Sequence, residues 1–135
     1  MSASRPVLVF IPRAWHYLDA YEPCLSCMRA RRYDVKVLAL LALYITVRGN
    51  TNFVRENVLD IILHDYRNVV VVTLSYGGLV RPAAAHSLSK TTRVRDGKTH
   101  GVLGTVAISS VISPRGISME ASSGGLAPFV VLDKV

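Results

Sequence analysis

The run Asn68-Val69-Val70-Val71-Val72-Thr73, followed at once by Leu74-Ser75-Tyr76-Gly77-Gly78, constrains this chain more than any other stretch. Four successive valines read as a strand buried on both faces, the habit of a parallel sheet. A serine and two glycines directly after it allow a sharp strand-to-helix turn. Such a turn lifts the serine hydroxyl above the sheet and aims the next backbone N–H at any negative charge that develops there. The usual form of the turn has glycine two residues before the serine. Thr73 stands in that place.

The rest of the chain alternates strand and helix signals around this element. Pro6 to Pro12 is a short apolar run bounded by prolines, a buried strand. His16 to Tyr33 has helical spacing, with Leu18, Tyr21, Leu25, Met28 and Ala30 near one stripe. Arg29, Arg31 and Arg32 at its end suit the negative end of the helix dipole. Asp34 to Leu43 reads as the second strand. Arg48 to Asn52 reads as a loop in which Asn50, Thr51 or Asn52 caps a helix running to about Tyr66. Val54, Val58, Ile61 and Ile62 form the apolar side of that helix. Gly77 to Leu88 is the helix behind the serine, with Leu79, Ala83, Ala84 and Leu88 as packing positions, and Pro82 is tolerable only in its first turn. Ser89 to His100 reads as a polar, basic connection, and Gly101 to Ile112 as the fourth strand.

Strands alternating with helices predict parallel β-α-β units and an α/β three-layer sandwich with a mostly parallel sheet of about four strands. The expected strand order is second, first, third, fourth, with the serine turn at the carboxyl edge near the switch in connection direction. The 135 residues make one domain by size, and half are hydrophobic, enough for a core. The net charge of +7 gathers at Arg29-Arg31-Arg32 and at Lys90-Arg93-Arg95-Lys98 without interleaved aromatics, so no nucleic-acid partner is expected. No secretory leader stands before the first strand. Val37 to Val47 is short of the roughly 20 apolar residues a membrane span needs. These features predict a cytoplasmic protein with no membrane partner.

Several segments, taken in order, resemble one family. They are Val9-Phe10-Ile11-Pro12-Arg13-Ala14-Trp15-His16, Tyr21-Glu22-Pro23, Arg31-Arg32-Tyr33-Asp34-Val35, Ser75-Tyr76-Gly77-Gly78 and Ala85-His86-Ser87-Leu88-Ser89-Lys90. Together they are similar to the small serine hydrolases of the α/β-hydrolase superfamily found widely in fungi, which look related to esterases of small esters. The similarity runs from about Pro6 to Val131 and covers the first half of such an enzyme. It implies one partial domain over residues 1–135, without the cap and the later strands that carry the triad histidine and acid. It also implies a nucleophile at Ser75, an oxyanion hole of the Tyr76 N–H with the N–H of Ala14 or Trp15, and a substrate pocket touched by Arg13 and His16. The chain departs from the family at Arg13 and Thr73, where the family has glycine, and at Leu74, where it has histidine.

A serine hydroxyl needs a base, and an orienting group for that base, before it attacks. His16 is the histidine expected nearest the pocket, as a wall or as a base. His86, His64 and His100 are expected too far away or at the wrong edge of the sheet, and Asp133 has no histidine to orient. Arg13 would bind a carboxylate or obstruct the pocket. Cys24-Leu25-Ser26-Cys27 is expected mid-helix, in a packing role. With no second Cys/His pair and no phosphate-binding glycine loop, no metal and no cofactor is expected. The resemblance thus implies a serine esterase acting on a small ester through Ser75. A non-catalytic ligand-binding protein, a non-hydrolytic cyclase-type role in fungal secondary metabolism, and an incomplete gene product are the alternatives. An open fourth strand, Gly101 to Ile112, would pair with a second copy or make the chain poorly soluble.

Overall fold

The computed structural model describes residues 4–14, 17–40, 47–114, 116–117, 121 and 124–125. Strands β1 (Val7–Ile11), β2 (Asp34–Val37), β3 (Val69–Leu74) and β4 (Val102–Ile108) form one sheet in the order β2-β1-β3-β4. Every pairing is parallel. The expected strand order is therefore the observed one, and the connection direction switches between β1 and β3.

The helices are α1 (Glu22–Ala30), α2 (Val47–Leu63), α3 (Gly77–Ala85) and α4 (Lys90–Arg95), with a short 3-10 turn at Leu18–Tyr21. Alternation along the strands divides the core in two. Val7, Val9 and Ile11 of β1, with Val69 and Val71 of β3, pack with Val54, Val58, Ile61 and Ile62 of α2 and Val80 of α3. Phe10 and Val72 point to the other side, where they meet Tyr21 of the 3-10 turn and Leu25 of α1. Among the described residues helical cover does not extend over β4, and from Leu103 to Ile108 each of its residues is exposed.

Several boundaries differ from expectation, β4 among them, which ends at Ile108 rather than Ile112. The helix expected from His16 starts at Glu22, because Pro23 lacks an N–H and fits only the first turn. Cys24 therefore lies in the first turn of α1 rather than mid-helix, and both cysteines are free and exposed. The second strand stops at Val37, where its partner β1 runs out at Pro12, and residues 41–43 of the expected strand lie outside the described residues. The expected loop Arg48–Asn52 is helical. Asn50, Val54, Val58, Ile61 and Ile62 form one buried stripe, and packing of that stripe outweighs the weak propensity of Gly49 and the asparagines. The polar connection Ser89–His100 contains α4, opened by Ser89, whose Oγ accepts from the Thr92 N–H at 3.2 Å.

The helix after the serine turn ends at Ala85 rather than Leu88 and continues through Pro82 at its sixth position, beyond the first turn. The side chains of Pro82, Ala83 and Ala84 lie outside those described. Among the described residues no helix is long and apolar enough to cross a membrane.

Candidate functional site

The carboxyl ends of β1 and β3 flank the point where the connections change direction. In open parallel sheets this crevice is where ligands bind, because the two loops leave it in opposite directions. β1 delivers Pro12, Arg13 and Ala14 to this edge. β3 delivers Ser75 and Tyr76, and α3 begins at Gly77.

Ser75 is the strained residue of the turn. Its φ is +51°, a left-handed conformation that L side chains avoid. Its carbonyl accepts from the Gly78 N–H at 3.0 Å and from the Val111 N–H at 2.9 Å, so the strained backbone is held from two directions. Val111 belongs to the segment leaving β4, which makes the fourth strand a support for the turn.

The two glycines have no room for side chains. A Cβ on Gly77 would lie 2.7 Å from the Ile11 carbonyl oxygen and 3.2 Å from that of Pro12. A Cβ on Gly78 would lie 2.2 Å from the Val111 carbonyl oxygen. Gly77 thus lets the first turn of α3 sit directly on the end of β1, which brings the Arg13–Ala14 loop beside Ser75. Gly78 does the same for the segment after β4.

Thr73 occupies the place where a glycine usually stands, and the structure shows how it fits. Its side chain is wholly buried. The Thr73 and Ser110 hydroxyl oxygens lie 2.9 Å apart, and the Ser110 hydroxyl is also 2.9 Å from the Thr73 carbonyl oxygen. A hydroxyl partner on the neighbouring segment satisfies the group that burial would otherwise penalise.

Of the expected site residues, Ser75, Tyr76, Arg13 and Ala14 are brought to one edge of the sheet. Trp15 and His16 lie outside the described residues. The Arg13 side chain is exposed, and the Arg13 backbone N–H donates to the Tyr21 hydroxyl at 3.3 Å, a contact that ties the loop to the 3-10 turn before α1. The Tyr76 N–H meets no acceptor among the described residues, and the Tyr76 hydroxyl accepts from Asn50 Nδ2 at 3.3 Å. Asn50 is buried, and its Oδ1 meets no hydrogen-bond partner among the described residues.

The three described histidines are elsewhere. α2 and α3 run back from the carboxyl edge to the amino edge, so His64 and His86, which follow them, lie at the amino edge. His100 precedes β4 at that same edge. A six-residue strand is about 20 Å long, so none of the three reaches Ser75. His64 pairs with Asp60 one helical turn away, and both are exposed.

Reading the sequence alone missed Asn50, Ser110 and Val111. Asn50 is legible in retrospect as the first member of a stripe spaced by four, at 50, 54 and 58. Ser110 and Val111 carry no local signal, because their role exists only once β4 lies beside β3. Among the described residues no cluster of three or more histidine, cysteine, aspartate or glutamate side chains is placed to hold a metal. Compared with protein-family models, curated proteins and solved structures, the chain matches none.

Proposed function

We propose that this protein is a serine hydrolase of the α/β-hydrolase kind that acts on a small ester through Ser75. The observation that carries the reading is the left-handed Ser75, set between β3 and α3 and wedged by two glycines that tolerate no Cβ. Backbone strain held this firmly at the mouth of a ligand crevice is a functional signature rather than a packing necessity. In this reading Ser75 Oγ attacks the ester carbonyl carbon, and the carbonyl oxygen takes up negative charge. The Tyr76 N–H donates to that oxygen, together with an N–H from the loop after β1. The alcohol leaves, and water then releases the acyl group from Ser75. The proton of Ser75 needs an acceptor, and His16, two residues after Ala14, is the histidine the reading assigns to it. The reading includes a cytoplasmic location, since the chain's two cysteines do not require an oxidising compartment.

The placement of His64, His86 and His100 at the amino edge favours a second reading, a protein that keeps the crevice and binds an ester-like ligand without turning it over. One experiment separates the two. The protein is treated with a fluorophosphonate, which phosphorylates an activated serine with loss of fluoride, and its intact mass is measured. A single adduct absent from Ser75→Ala is the expected outcome. No adduct on protein with intact circular dichroism overturns the hydrolase and leaves the binding reading.

A further inference from the structure

The two edges of the sheet are built differently. β2 carries Asp34 and Lys36. Asp34 pairs with Arg67 at 2.7 Å and Lys36 with Asp65 at 3.0 Å. Charges on an edge strand resist pairing with another chain. β4, Val-Leu-Gly-Thr-Val-Ala-Ile, carries none.

Among the described residues the backbone of β4 is open along its outer side beyond Val102. The Val69 N–H donates to the Gly101 carbonyl, so Val69, Val71 and Thr73 aim their backbone groups at β4. Thr105 and Ala107 stand in register with Val71 and Thr73. In a parallel pair they must therefore aim their own N–H and C=O groups away from β3. At the amino end the edge is covered, since the Val102 N–H donates to the Leu88 carbonyl at 2.8 Å and Ser89 bridges to Val102. From Leu103 onward nothing among the described residues receives the edge. Leu103, Val106 and Ile108 are each nearly half exposed, at 48%, 48% and 45%.

We propose that β4 pairs antiparallel with β4 of a second copy of this chain, about a twofold axis at Val106. In that register Thr105 of each copy faces Ala107 of the other, and the two exchange both of their backbone hydrogen bonds. All the outward-facing groups of these residues are thereby used. Val106 meets Val106 across the axis. Ile108 of each copy lies beside Gly104 of the other, where a Cβ would meet nothing within 4 Å. The strand is its own complement in hydrogen bonding, in size and in the absence of charge, which is why a second copy is the occupant that fits. A twofold contact of this type is closed, so it stops at the dimer. The pairing is independent of the serine chemistry proposed above.

The test is sedimentation of the full 135-residue chain at tens of micromolar, with two variants. Thr105→Pro removes an N–H that makes no bond within the sheet, a substitution that an edge strand tolerates. Val106→Lys places like charges directly opposite one another. The expected result is a mass near twice the 14.8 kDa of one chain, falling to one chain in both variants with circular dichroism unchanged. Should Thr105→Pro fail to fold, Val106→Lys carries the test alone. A monomeric parent chain overturns the proposal, and so does a dimer or larger species that persists in the folded variants.

Discussion

Ser75 carries a conformation that its own side chain opposes. The left-handed region costs an L residue about 1–2 kcal/mol, glycine escapes this cost, and its greater freedom in the unfolded chain returns about 0.5–1 kcal/mol of it. Ser75→Gly should therefore be more stable to denaturant than Ser75→Ala by about 0.5–1 kcal/mol, while both lose any fluorophosphonate adduct. Equal stability of the two variants would mean that the strain is not there. Thr73 illustrates the opposite case at the same scale. It departs from the usual glycine, yet Ser110 meets its hydroxyl at 2.9 Å, so the departure is accommodated rather than tolerated at a loss. The serine of the turn and its glycines were legible in the residues, because the need for φ above zero and for close approach is local. The partner of Thr73 was not, since Ser110 lies 37 positions away.

At the scale of elements, α2 is the clearest contest between local preference and packing. Gly49, Asn50, Thr51 and Asn52 each favour a turn or a cap over a helix interior. The stripe from Asn50 to Ile62 nevertheless lies against β1 and β3, and its burial decides the matter. The exposed Asn52 gives this a sign. As a cap, its replacement by alanine would cost about 1 kcal/mol. Inside an exposed helix the same replacement should stabilise by about 0.5 kcal/mol, read from chemical denaturation. A loss of stability would return the helix start to Asn52. Pro23 acts in the other direction, since a residue without an N–H is best placed where no N–H is needed, and α1 holds it in its first turn. The starts of α1 and α2 thus failed to follow the sequence pattern for different reasons, one a proline's preference for the first turn and one a tertiary override.

For the whole molecule, charge and edge oppose one another. The chain carries +7, so two copies repel, while the proposed pairing of the uncharged β4 edges would draw them together. The repulsion is screened over about 10 Å at 0.1 M salt, so the association of two copies should tighten as salt is raised. Sedimentation at low and high ionic strength reads this directly. Weakening with salt would point to ion pairs as the contact and count against the β4 edge.

Taken alone, the sequence determined the parallel sheet, its strand order and the turn at Ser75. Valine runs buried on both faces, right-handed crossovers and a serine beside glycines are consequences of short-range sterics and of connection rules, and these need no knowledge of distant contacts. Tertiary structure alone decided where α1 and α2 begin, how Ser110 and Val111 brace the turn, and which backbone groups of β4 face outward. Each of those depends on groups far apart in the chain meeting in space, and burial, not local preference, sets their energy.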